Sequence, residues 1–417
     1  KHRRSIENSL AKKAKNHRSQ MAGNECRWGI LGVGKISADF CTALIQTPGA
    51  VVAAVAASSS KGNRAASFAA QFASKQAESY PAIAACGSYA ELVNRADVDV
   101  VYVGNVNTCH FEAAMLAISA GKACVVEKPV GVNAAEAKAL SAAAKAKGTF
   151  FLEGMWSRFL PLHRKARELV ASGALGDIVA VHADFGFKCD DPPESRMFDA
   201  NLAGGGLLDI GIYPLAVASM AYRGSMPTSV KAVGTTHSST GVDTSAGVVM
   251  LYGGKPEGGE EGEEEKKKTV AASESDVGAV DGPASGLAVI TYNLRAFTPE
   301  EVVIAGTKAR LVLKGPAHVG TKMVLTKPDG RSGMVEEKFD LPLPPPDSSF
   351  AYNYPGSEGF YHEIVEVQRC LSAGLLESPL YPHSEMCNIA ATMDAIRSEL
   401  GVVYPADSRK PQVAGKD

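Results

Sequence analysis

Three stretches, AVVAAVAA, VDVVYVGN and ACVVEKP, are apolar at nearly every position rather than at every second one. A strand with one wet face alternates; a strand that is apolar on both sides must be covered on both. Segments of helical spacing stand between these runs. KISADFCTALIQ carries Ile36, Phe40, Ala43 and Leu44, an Ala-rich stretch runs from Asn63 to Phe72, and YAELVNR and HFEAAMLAISAG follow. NAAEAKALSAAAKAKG closes on Gly148, and TFFLEGMW is one more strand. This alternation predicts a parallel sheet sandwiched between helices, the α/β class, over roughly residues 25–150.

The rhythm then changes. After a helix around Leu162–Ser172 come DIVAVHADFGF, SVKAVGTTH, AGVVMLYGG, LAVITYNLRA, EEVVIAGTKARLVLKG and TKMVLTKPDG, strand candidates separated by turn residues. They predict a large, mostly antiparallel open sheet in an α+β second domain over 151–405, with two helices near its end and a short tail at 406–417. At 417 residues the chain exceeds one ordinary core, which agrees with two domains. The segment 253–286 packs acids, three consecutive lysines, Gly and Ser together. Such a composition buries too little to order itself, so it reads as a disordered insert at a hairpin tip. Residues 1–24 are a basic extension, either solvated or targeting.

A formal net charge of −2 gives no general attraction to nucleic acid or anionic membrane, and no apolar run reads as a bilayer span. The eight cysteines lack metal-ligand spacing and predict free thiols in a reducing compartment, with no metal. The expected location is the cytoplasm, or an organelle if the basic head is a transit segment.

Two places carry chemistry. In GILGVGKIS, Gly32 and Gly34 end the first strand, and Lys35 and Ile36 open the helix that follows. Glycines there permit a tight turn and close approach of a pyrophosphate to a helix N-terminus. The second strand ends in Ser58 with Lys61 and Arg64 nearby and no acid; hydroxyls and cations suit a 2′-phosphate, so NADP is expected over NAD. An exposed polar loop is the plain alternative. The second place is CVVEKP. Ligands bind beyond the carboxyl ends of parallel strands, so Glu127 and Lys128 are expected beside a nicotinamide, with Pro129 shaping the turn. In GGGLLDIGIYPLAVASM, Asp209 and Tyr213 are four apart and share a helix face. Tyr213 as proton acceptor and donor, lowered in pKa by Lys128 and oriented by Asp209, is a coherent catalytic set. A structural hydrogen-bond cluster is the other reading.

EKPVGVNAAEAKAL, WGILGVGKIS, EGMWSRFLP and GGGLLDIGIYP together resemble the glucose–fructose oxidoreductase/inositol dehydrogenase (Gfo/Idh/MocA) family, from about Arg27 to Pro405. The resemblance implies a Rossmann domain over 25–150, a second domain that dimerises through its sheet, and an NADP-dependent oxidation of a small polyol or sugar. Its implied substrates are a trans-dihydrodiol, giving a catechol, or an aldopyranose such as D-xylose, giving a lactone. It assigns Lys128, Asp209 and Tyr213 to catalysis, and Trp156, Phe185 and Arg158 to the substrate pocket. Where the family often has Thr-Pro before a histidine, NVNTCH supplies Asn105, Asn107 and His110 at the cofactor edge. A non-catalytic nucleotide sensor of the same fold is the rival; retention of both Lys128 and Tyr213 favours the enzyme.

Overall fold

The computed structural model describes residues 25–58, 63–190, 192, 194–253, 286–331, 333–345 and 351–409. The basic extension, Lys61 and the acidic insert lie outside these residues. The first half runs β1 (Cys26–Leu31), α1 (Lys35–Gln46), β2 (Ala50–Ala56), α2 (Arg64–Ala73), β3 (Ala84–Cys86), α3 (Tyr89–Val93), β4 (Val100–Val103), α4 (His110–Ser119), β5 (Ala123–Glu127), α5 (Ala134–Lys147) and β6 (Phe151–Gly154). All six strands are parallel, in the order β3-β2-β1-β4-β5-β6. Strand order reverses between β1 and β4, which opens a crevice at their carboxyl ends. Every residue of β2, β4 and β5 is buried, as their unbroken apolarity requires.

The sheet extends to Gly154, past the boundary expected at 150, because β6 pairs with β5. β3 is only three residues long and carries no strand pattern of its own.

The second half begins with α6 (Pro161–Ala171) and β7 (Ile178–Gly186), passes through α7 (Ile212–Ala221), and continues with β8 (Ser229–Thr236), β9 (Asp243–Tyr252), β10 (Gly286–Asn293), β11 (Val302–Gly306), β12 (Arg310–Leu313), β13 (Lys322–Asp329) and β14 (Gly333–Asp340). These strands form one eight-stranded sheet, β14-β13-β12-β11-β7-β10-β9-β8, antiparallel except where β7 and β10 run parallel. EEVVIAGTKARLVLKG is not one strand but two, β11 and β12, folded on each other about the turn after Gly306. β14 has no apolar alternation because nearly all of it is exposed at the sheet edge. Tyr252 pairs with Gly286, so the acidic insert joins two neighbouring strand ends, as expected of a hairpin connection.

Two last helices, α8 (Phe360–Ser372) and α9 (His383–Leu400), return to the first domain. Buried Asp39 of α1 accepts from the Asn353 amide at 2.7 Å, the Tyr354 amide at 3.0 Å and the Ser357 hydroxyl at 2.7 Å, which docks the segment leading into α8. The far end is held as well, with Tyr404 Oη donating to Gly204 O at 2.6 Å and Arg409 to Thr108 O at 2.8 Å. Both halves are therefore tied around one crevice.

Candidate active site

Gly32 shows why the first turn needs glycine. Its φ is +96°, and a Cβ there would lie 2.8 Å from Gly104 O across the crevice. Gly34 then caps α1 with no side chain accepting from the helix amides and no acid in the first turn. These open amides and the tight β1–β4 junction fit a dinucleotide pyrophosphate. Lys35 is exposed and Ile36 half-buried on the same turn. Ser58 and Arg64 are both exposed beyond the end of β2, where a ribose would reach.

Beyond β4 and β5 the loops are locked together by His110. It is buried, with Nδ1 2.7 Å from Pro129 O and Nε2 3.1 Å from Asn105 O. Burial pushes its pKa down to about 4 while the two carbonyls oppose the shift, and with both ring nitrogens set against backbone the histidine locks these loops. Asn105 carries the carbonyl that this ring meets, and Asn107 Nδ2 donates to Ala203 O at 3.0 Å, bridging the two halves.

Glu127 is buried, unlike the exposed mouth residue the sequence suggests. Its carboxyl is buried and accepts from Tyr102 Oη at 2.7 Å, and desolvation raises its pKa to about 7. Glu153 lies nearby, accepting from Val130 N and Tyr381 Oη, and is likewise raised by burial to about 7. A third buried acid, Glu363 of α8, is pushed well up by burial and by these two carboxyls. A cluster of buried carboxyls, all raised in pKa by desolvation, thus underlies the turn that aims Lys128.

Lys128 reaches across to the second half. Its Nζ donates to Asp209 O at 2.6 Å, stands 3.6 Å from Asp209 Oδ1, and lies 5.4 Å from the centre of the Tyr213 ring. The helix carrying these residues is entered through GGG. Gly205 adopts φ +113°, and a Cβ there would strike Asp243, whose carboxylate accepts from Leu207 N at 2.6 Å. From Leu207 to Gly211 the chain makes one π-helical turn before α7. Such a turn widens the helix and alters its carbonyl pairing, and it is here that Lys128 finds the Asp209 carbonyl. Ala200–Ala221 is long and apolar enough to cross a bilayer, yet it is almost wholly buried in protein.

Asp209 also meets Arg196 at 3.2 Å. Burial alone would raise its carboxyl, but Lys128 and Arg196 outweigh that and hold it below the usual range. Tyr213 departs from the sequence expectation: its pKa is raised, not lowered. Burial dominates, Glu127 and Asp209 add to it, and the Lys128 charge is balanced by Asp209. Trp156 Nε1 donates to Tyr213 Oη at 2.9 Å, so the phenol proton is directed to another acceptor. Phe185 forms the neighbouring wall, 5.6 Å from the Tyr213 ring.

Arg158 is corrected outright. Its side chain is 2% exposed, pairs with Glu385 at 2.9 Å and donates to Ala216 O at 2.9 Å, beneath α7 rather than in the pocket. Sequence reasoning also missed His318 and Glu300. His318 stacks on Phe185 at 4.3 Å and lies 5.4 Å from the Tyr213 ring, and its Nδ1 is 2.8 Å from Glu300 Oε2. Nothing in KGPAHVG distinguishes a pocket histidine from a turn histidine.

The class follows from a dinucleotide crevice whose Lys128 meets Asp209 and Tyr213 of a second, sheet-based domain. Residues 26–155 match the oxidoreductase family with an NAD-binding Rossmann fold (Gfo/Idh/MocA), and residues 163–258 match that family's C-terminal domain. The chain is 33% identical over 381 residues to trans-1,2-dihydrobenzene-1,2-diol dehydrogenase of Bos taurus, covering 91% of this chain and 98% of the relative. It is 33% identical over 384 residues to the Homo sapiens protein of the same name, covering 92% and 99%. The chain belongs to this family and is an oxidoreductase that uses a nicotinamide cofactor. Among solved structures, an aldose-aldose oxidoreductase from Caulobacter crescentus is similar in fold, with TM-score 0.68, 21% identity and coverage of 90% of this chain and 98% of that one. A 3-ketoreductase from Actinomadura kijaniata, solved with NADP and TDP-benzene, gives TM-score 0.64, 23% identity and coverage of 90% and 98%.

Proposed function

We propose that the protein is an NADP-dependent dehydrogenase that oxidises a ring carbinol, either of a trans-dihydrodiol, giving a catechol after tautomerisation, or of an aldopyranose such as D-xylose, giving a lactone. The observation that carries this reading is the meeting of Lys128 Nζ, from the first domain, with Asp209 and the Tyr213 ring, from the second. A bound nicotinamide supplies the hydride acceptor. Tyr213 takes the hydroxyl proton on oxidation and returns it on reduction, Lys128 stabilises negative charge on the substrate oxygen, and Asp209 fixes the lysine. Because burial raises the Tyr213 pKa, its use as proton acceptor in oxidation gains from alkaline pH. Names support the chemistry, since the relatives at 33% identity are dihydrodiol dehydrogenases. NADP is supported by Ser58 and Arg64 at the ribose end with no acid in that loop.

We also read a homodimer through the open face of the second sheet. Val233 is 82% exposed, and Val249 and Leu251 follow on the same face by strand register. Exposed valines and leucine in a row suit burial by a second copy.

The test is spectrophotometric. Protein with NADP⁺ and D-xylose, or with benzene trans-dihydrodiol, is expected to raise absorbance at 340 nm, more slowly with NAD⁺. Tight NADPH binding without turnover of either substrate would sink the proposal.

A further inference from the structure

Beside Tyr213 lies a small cavity, with room for about one water-sized group, and its far wall is polar. It is lined by Phe185, Tyr213, His163, Asp184, Glu300 and His318. The hydrogen bonds fix what the two histidines present. Glu300 Oε2 accepts from the Nδ1–H of His318 at 2.8 Å, so in the neutral ring Nε2 holds the lone pair. His163 of α6 is 1% exposed and sets its Nε2 2.8 Å from Ala317 O; a carbonyl only accepts, so the proton is on Nε2. Nδ1 of His163 is then a bare acceptor, and among the described residues it has no partner. Burial brings its pKa down to about 4, so it does not escape by protonation. A buried acceptor without a donor is costly, and it asks for a hydroxyl or a water from outside the chain. Asp184 is already engaged, accepting from the Glu300 and Glu301 amides at 3.0 and 3.1 Å, and Glu300 itself sits at φ +53°. Two carboxylates and a strained turn are thus spent on holding one imidazole against Phe185.

We propose that this cavity is a hydroxyl subsite, in which His318 and His163 accept from substrate hydroxyls remote from the reacting carbon. The inference rests on the reading of Tyr213 as the proton-transfer residue and narrows its substrate class. An aldopyranose brings hydroxyls on successive carbons, so one can enter the cavity while another meets Tyr213. A benzene dihydrodiol brings two adjacent hydroxyls and a diene, which leaves the histidines facing apolar carbon. A site built to bond a hydroxyl discriminates against a ligand that lacks it, because its own polar groups are left unpaired.

The discriminating variants are His318→Phe, which keeps the stack on Phe185 and removes the acceptor, and His318→Gln, which restores one. Turnover of D-xylose and of benzene trans-dihydrodiol, and calorimetric binding of D-xylose to the NADP⁺-loaded protein, are read on all three forms. For His318→Phe, kcat/KM on D-xylose is expected to fall about tenfold or more, mainly through KM, the size of one lost hydrogen bond. The dihydrodiol value is expected to fall less than the sugar value, and His318→Gln recovers part of the sugar loss. Equal loss on both substrates, or D-xylose binding that is absent in the native protein or unchanged in His318→Phe, overturns the subsite. A native protein that binds D-xylose through His318 yet turns over neither substrate leaves the subsite standing and removes the dehydrogenase reading instead.

Discussion

The two sheets differ in what they leave uncovered. In the parallel sheet, β2, β4 and β5 are buried from end to end, and the candidate chemistry sits along the sheet's carboxyl edge, where Gly32 follows β1, Ser58 follows β2 and Lys128 follows β5. In the antiparallel sheet one face packs against α7 while the other shows Val233, Val249 and Leu251 to solvent. The first arrangement fixes where a cofactor binds before any side chain is chosen; the second leaves an inner face beside Tyr213 and an outer face exposed, on which the proposed dimer rests. Two cations sharpen the contrast. Lys128 and Arg158 stand in adjoining motifs, yet the tip of β5 delivers the lysine to Tyr213 and the turn after β6 buries the arginine under α7.

If the inner face supplies the proton-transfer group, Tyr213→Phe should lower kcat by on the order of 10²–10⁴-fold with NADPH affinity held. Near-full activity in steady-state assays would break that assignment. Arg158→Ala should act on folding instead: it strands the buried Glu385 carboxylate, a loss of about 3–5 kcal/mol measured by urea unfolding. An unchanged midpoint with impaired KM would return Arg158 to the substrate.

The carboxyl cluster beneath Lys128 makes a pH prediction. Glu153 is raised to about 7 in the fold, above an unfolded value near 4.5, so the folded state holds the extra proton between them. Its contribution is therefore full below about pH 4.5 and lost as pH climbs to about 7. Across that window the native chain should lose melting temperature relative to Glu153→Gln as pH rises, because the variant lacks this proton. A parallel pH profile in the variant would contradict this. The mildest effect belongs to the outer face: Val233→Glu should convert dimer to monomer in sedimentation while shifting stability by no more than about 0.5 kcal/mol. A dimer that persists in the variant would place the interface elsewhere.

The strands of the first domain were legible because both their faces are buried, and burial leaves an unbroken apolar run. β14 was not, because an exposed edge imposes no pattern, and β3 is too short to carry one. That Lys128, Asp209 and Tyr213 would meet could be read because each is pinned by a backbone demand or a helical spacing.

Sequence alone determined a buried parallel sheet, a crevice at its tips and a lysine at a strand exit, since these follow from local pattern and chain direction. Only the tertiary structure decided which way Tyr213 titrates, that Glu127 and Arg158 turn inward, and that His318 and His163 stand beside Tyr213. Those outcomes depend on desolvation and on partners distant along the chain, from Glu385 beside Arg158 to Ala317 against His163, and no local pattern encodes them.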